Sequence, residues 1–204
     1  NPDVNKLVYK FQLGYSKNDG TTVYSPAVSV EYVPQSCNWK VPTYSSVQQD
    51  LSTGYYYIYS YAAFLEMWNT AITSAFNSLI TQLGESAPIG AIAPYFYYDT
   101  NSGIVLKAQQ AFYYQPPNGL SLIGTPTTPY NGFFQLYCND PLLPLINGLK
   151  TNYVSNGNSL RYSFNFYNET SNLDVDGNYY LQKQTSLSDL CYWSSITSFQ
   201  IRSN

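Results

Sequence analysis

The stretch most able to do chemistry is Asp174-Val175-Asp176-Gly177-Asn178. Alternating carboxylates ahead of a glycine could open a calcium loop, because hard cations collect oxygen ligands. An EF-hand loop also wants a third oxygen ligand before its glycine and a Glu six residues after it, where this chain has Lys183. A solvated hairpin turn at Asp176-Gly177 explains the same residues. The chain contains no His, which removes the commonest general base and the commonest transition-metal ligand. Cys37, Cys138 and Cys191 are far apart and form no CxxC pair, too few and too scattered for a four-ligand zinc site. They are expected to be reduced, buried thiols. No cofactor or metal is expected. Twelve acidic residues could pair in space for glycoside hydrolysis, but none is distinguished by its surroundings. An enzyme without His would place all acid–base work on carboxylates, Tyr or Lys, so catalysis is not expected.

The other chemically suggestive run is Tyr55-Tyr56-Tyr57-Ile58-Tyr59-Ser60-Tyr61. Tyrosine offers a large amphipathic area at small entropic cost, which suits a sugar platform and a protein interface equally. A strand feeding the following helix is the alternative. Tyr55, Tyr56, Tyr57, Tyr61 and Trp68 are therefore the candidate interface or packing residues. Asn168-Glu169-Thr170 is a lone glycosylation sequon, and no secretory signal accompanies it.

The elements that must position these residues read as mainly β, with one long helix. Leu7, Tyr9, Phe11 and Leu13 alternate with Lys6, Val8, Lys10 and Gln12, predicting a half-buried strand. Lys17-Asn18-Asp19-Gly20 is a turn leading to a second strand around 22–32, and 34–54 reads as a long loop. From Ser60 to Gly84, Tyr61, Phe64, Leu65, Trp68, Ile72, Ala75, Phe76, Leu79 and Leu83 recur at helical spacing. This predicts a helix over about 60–83 with Ser60 as N-cap and Gly84 at its C-terminal end. A hairpin follows from Tyr95-Phe96-Tyr97-Tyr98 through Asp99–Gly103 to Ile104-Val105-Leu106. Further strands are expected at 120–123, 133–138, 160–167, 179–182 and 196–202, with loops at 152–158 and 168–177. Asp140-Pro141 suits an N-cap with Pro at N1 of a short helix over about 141–147. Such a pattern suggests a single β-rich domain over 1–204, an antiparallel sandwich or single jelly roll with helices in its connections.

Composition narrows the partners. Charged residues make up only 10% of the 204, against about 25% in a typical soluble domain. In their place stand 23 Ser, 19 Asn, 15 Thr and 12 Gln, beside 23 Tyr, 10 Phe and 3 Trp. The nine basic residues are dispersed and the net charge is −3, so neither nucleic acid nor an anionic membrane surface is an expected partner. No apolar run is long enough for a membrane-spanning helix. The chain begins Asn1-Pro2 without an initiator Met, and it is expected to be a segment of a longer polypeptide.

LVYKFQLGY, YYYIYSYAAFLEMWNTAITSAFNSL, APYFYYDTNSGIVLKA, FFQLYCNDPLLPLINGL and YWSSITSFQIRSN are Tyr/Asn/Ser/Thr-rich, charge-poor, His-free segments with long irregular connections. In these the chain resembles capsid proteins, the virion structural proteins of small eukaryotic viruses. The resemblance implies a jelly-roll shell domain assembled from many identical copies in the virion, beside other capsid proteins, with no catalytic residues to carry over. Capsid proteins of this kind often hold a basic arm for the genome; none is present here. Physical reasoning points the same way, since interface cores are depleted of charge and enriched in Tyr, Trp and Phe. The expectation from a different class is a receptor- or carbohydrate-binding β-sandwich, such as a spike head or lectin-like module.

Overall fold

The computed structural model describes residues 8–35, 58, 60–113, 132–146, 148–154, 160–164, 166 and 173–183. At its centre is β1 (Lys10–Lys17). Tyr9, Phe11 and Leu13 point into the core, as the alternation predicts, and Tyr15 continues the row, but Gln12 on the opposite face is only 7% exposed. The strand is thus covered on both faces rather than half-buried. The reason lies at Gly14: a Cβ there would sit 3.0 Å from the Tyr137 ring and 3.2 Å from that of Tyr24. Those two rings close over the glycine with centroids 5.7 Å apart.

The predicted second strand is broken into β2 (Thr22–Tyr24) and β3 (Val28–Ser29), both antiparallel to β1. Pro26 lies in the interruption, where it cannot donate to a ladder. Ser25 substitutes for the missing pairing. Its N–H donates to Leu13 O at 2.8 Å, its Oγ accepts from Leu13 N at 3.0 Å, and its carbonyl accepts from Gln12 Nε2 at 2.7 Å. The turn before β2 forms at the expected place, with Gly20 at φ 85° and Asp19 Oδ1 accepting from Thr21 N and Oγ1 at 2.8 and 2.6 Å. Those bonds hold the Asp19 carboxyl below its usual range, the Thr21 hydroxyl contributing most.

On its other side β1 pairs with β6 (Gly132–Cys138), which continues through β8 (Tyr162–Phe164) to β7 (Thr151–Tyr153). The first sheet runs β2-β1-β6-β8-β7, with β3 also on β1. β7 takes in Asn152 and Tyr153 at the start of the loop expected over 152–158, of which 155–158 lie outside the described residues, and β8 is shorter than the strand expected over 160–167. Leu160, Phe164 and Phe166 are nevertheless buried. A second antiparallel sheet, β4-β5-β9, is built from β4 (Tyr95–Asp99), β5 (Gly103–Gln109) and β9 (Tyr179–Lys183). The β4–β5 hairpin is the predicted one, with Asp99 Oδ1 accepting from Asn101 N and Ser102 N, each at 2.8 Å. β5 runs on into a short helix, α2 (Gln110–Tyr113), that periodicity did not announce. The strands expected at 120–123 and 196–202 lie outside the described residues.

The long helix is α1 (Tyr61–Leu83). Its buried stripe runs Phe64, Leu65, Trp68, Ile72, Ala75, Phe76, Leu79 and Leu83, together with Met67 and Ala71, and packs against β1 and β4. Ser60 occupies the N-cap position but makes no side-chain capping bond, and Gly84 ends the helix at φ 55°. The helix expected at 141–147 is a 3-10 helix, Asp140–Leu145. Pro144 has no N–H for an α-helical bond, and the N-cap is Asn139 rather than Asp140. The Asn139 side chain is engaged elsewhere, with Oδ1 accepting from Lys10 N at 3.0 Å and Nδ2 donating to Val8 O at 2.6 Å.

Between the sheets lies an aromatic core. Phe96 packs against Phe11 at 6.0 Å, Trp68 at 5.2 Å and Phe164 at 5.7 Å. Tyr113 meets Phe134 at 5.5 Å and Phe166 at 5.6 Å. The described residues thus form a mainly β, antiparallel architecture with one long helix and short helices. None of the described helices is long and apolar enough to cross a membrane.

Candidate assembly surface

Tyr55, Tyr56 and Tyr57 lie outside the described residues. The structure separates the other two candidates. Trp68 is fully buried, held by Phe64 at 4.9 Å and Phe11 at 5.8 Å. Tyr61 is half-buried at the mouth of α1, its ring stacked on that of Tyr98 at 5.3 Å and 15°. Burial foremost, and then the neighbouring Tyr98, push the Tyr61 hydroxyl pKa up.

Tyr61 belongs to a cleft of about 660 Å³ lined by Ser60, Tyr61, Ala62, Leu65, Glu66, Asn69 and Tyr95 to Tyr98. The cleft exists because β4 is at the edge of its sheet among the described strands and α1 crosses beside it. Asn69 joins the two: its Oδ1 accepts from Phe96 N at 2.7 Å and its Nδ2 donates to Phe96 O at 2.8 Å. One side-chain amide thus does for Phe96 what a neighbouring strand would do. Helical spacing placed Asn69 on the polar face, and nothing local in the sequence marks it as a strand partner. Replacing Asn69 by Ala leaves both Phe96 backbone groups without partners, and we expect a loss of about 1–3 kcal/mol in urea denaturation.

The outward face of the second sheet continues the tyrosine surface. Tyr95 and Tyr97 stand side by side with ring centroids 6.2 Å apart. Lys107 Nζ lies 4.2 Å from the centre of the Tyr179 ring and 3.8 Å from Asp174 Oδ2. Burial above all, then the nearby Asp99 charge, raise the Tyr97 pKa. Sequence reasoning missed Tyr95, Tyr97 and Tyr179 as a group, because their meeting depends on β4 and β9 flanking β5.

The possible calcium stretch folds as the hairpin turn. Asp174 Oδ1 accepts from Asn178 N at 2.8 Å and Tyr179 N at 3.1 Å, and Gly177 takes φ 72°. The Asp174 carboxylate is thereby committed to its own turn and to Lys107. Among the described residues no group of three or more His, Cys, Asp or Glu is placed to hold a metal ion. Cys138 is a buried free thiol whose pKa burial drives upward; Cys37 and Cys191 lie outside the described residues.

The tyrosines divide in a way composition alone does not reveal. Tyr9, Tyr15, Tyr113, Tyr137 and Tyr180 are buried beside Phe11, Phe64, Phe96, Phe134 and Phe164, so the domain's own core absorbs many of its rings. Of the half-buried and exposed ones, Tyr61, Tyr95, Tyr97, Tyr98 and Tyr179 gather around the second sheet, whereas Tyr24, Tyr153 and Tyr162 stand on strands of the first.

Comparison with known proteins supplies the context for this surface. Residues 1–204 match the sequence profile of the family described as Sputnik minor capsid protein V18/19. A protein of the Sputnik virophage, named "Uncharacterized protein V18", is 37% identical over 101 residues, covering 48% of this chain and 54% of its own length. The fold is similar to a chain in the 3.5 Å cryo-EM structure of the Sputnik virophage. That match has a TM-score of 0.66 and 28% identity, covering 92% of this chain and 51% of the other. The chain thus spans about half the length of the relatives it matches. With the full-length profile match, the virophage relative and the shared fold agreeing, the chain belongs to the Sputnik minor capsid protein V18/19 family and is a structural component of the virion.

Proposed function

We propose that this chain is a structural, non-catalytic subunit of a virus capsid that assembles with identical copies and with other capsid proteins through uncharged, tyrosine-rich surfaces. In this reading the two sheets are the layers of one jelly roll. The observation that carries it is the collection of Tyr61, Tyr95, Tyr97, Tyr98 and Tyr179 around β4, β5 and β9, where the Lys107 charge is taken up by the Tyr179 ring and Asp174. Interface cores are enriched in aromatic residues of this kind, and a specific contact buries about 1,200–2,000 Å². Virion family membership favours a protein partner over a sugar for these rings.

The test is sedimentation. Because such contacts are apolar and hydrogen-bonded rather than ionic, association should persist when salt is raised, whereas screened surface charges would let go. Analytical ultracentrifugation of native material at low and high salt should show a many-copy oligomer in both. A stable monomer at micromolar concentration under both conditions would overturn the reading and favour a receptor- or carbohydrate-binding head.

A further inference from the structure

We propose that the cleft between the first half of α1 and β4 receives an extended peptide segment of another protein chain, which adds at Tyr98 to the edge of β4 that faces away from β5 and sets a basic side chain opposite Glu66. The backbone dictates the first half of this. In an antiparallel ladder, residues alternate between turning both backbone groups towards the partner and turning both away. Phe96 turns its N–H and C=O away from β5, because both bond to Asn69. Tyr98, two residues on in the same strand, therefore turns its own pair outward along the same edge. No hydrogen bond to that pair is formed among the described residues, and Asn69 reaches only Phe96. An unpaired strand edge is a template for another strand.

The lining supplies the second half. Glu66 is the one charged residue among those lining the cleft. It is exposed, and no cation of the described residues lies within ion-pair distance of it. The remaining wall is the apolar side of Leu65 and Ala62 and the rings of Tyr61, Tyr95, Tyr97 and Tyr98, which suits alternate side chains of an extended segment. A backbone edge beside a single acid asks for a peptide with one Lys or Arg. Because the inference needs another chain but no particular copy number, it stands or falls separately from the sedimentation result.

The experiment uses the 204-residue chain and an array of hexapeptides alternating Val and Thr, with one position varied among Lys, Arg, Gln and Glu. Lys and Arg peptides should retain the protein over their Glu counterparts. The Lys peptide is then followed in solution by fluorescence anisotropy. Tyr98→Pro removes the outward N–H without touching the β4–β5 ladder, and should weaken binding by about tenfold, the value of one well-made hydrogen bond. Tyr98→Ala, which keeps that N–H, should stay within about threefold, and Glu66→Gln should lose about threefold at low salt. Should Tyr98→Pro fail to fold, hydrogen exchange on the unmodified chain decides: the Tyr98 amide should slow when the peptide is added. Equal retention on Lys and Glu peptides, unaltered affinity in Tyr98→Pro, or an unchanged Tyr98 exchange rate at saturation each overturn the proposal. So does self-association that Tyr98→Pro abolishes while no peptide binds, which would assign the cleft to a second copy.

Discussion

Replacing Trp68 by Ala is expected to cost about 3–5 kcal/mol of folding stability, the range for emptying a large buried aromatic site. Trp68 sits where α1, β1 and β4 meet. Its ring touches Phe11 of the first sheet at 5.8 Å, Phe96 of the second at 5.2 Å and Phe64 of its own helix at 4.9 Å. Truncation would open a void bordered by all three elements, and none can close it without leaving its other contacts. Urea denaturation followed by circular dichroism measures the loss. A change below about 1 kcal/mol would mean that α1 does not key the two sheets together, since surface substitutions fall in that range.

Adding a single methyl group at Gly132 should be nearly as damaging. A Cβ built there lies 2.3 Å from the Ser16 backbone carbonyl and 2.9 Å from Cζ of Tyr15. The nearest atom is main chain in the central strand, so relief requires moving β1 itself. We expect Gly132→Ala to lose about 3 kcal/mol, and Gly14→Ala, which meets only the movable rings of Tyr137 and Tyr24, about 1 kcal/mol. Thermal unfolding of the pair provides an internal control, because both glycines lie in the β1–β6 ladder. Equal losses would show that close approach to backbone is not what requires glycine at 132.

The elements legible in the sequence were those with strong periodic or turn signals. Helix α1 is marked by its three-and-four apolar stripe, and the β4–β5 hairpin by Asp99 and Gly103 flanking a polar turn. Elements set by distant partners were not legible. β7 is only three residues, Thr151–Tyr153, and exists because β8 pairs with it. Ser25 bridges the break in its strand because its hydroxyl finds Leu13 N across the sheet. The candidate surface follows the same division: Tyr61 could be named from its neighbours in sequence, whereas Tyr95, Tyr97 and Tyr179 become neighbours only through the second sheet. Trp68, a candidate for interface or packing on the apolar stripe of the helix, is buried in the interior.

The central ladder between β1 and β6 also has a consequence in time. Ser16 and Gln135, joined diagonally across it by a side-chain hydrogen bond, are 119 residues apart in sequence. A chain made at about 5–20 residues per second leaves β1 waiting roughly 6–24 s for its main partner to be synthesised. In that interval β2 and β3 can pair with one side of β1, while the side meant for β6 stays open. Closing so long a loop is also slow once both strands exist. Neighbouring ribosomes on one message would hold several such edges at once, each able to pair with the wrong copy. The pace of translation, and not the final stability, sets how long the growing subunit remains vulnerable.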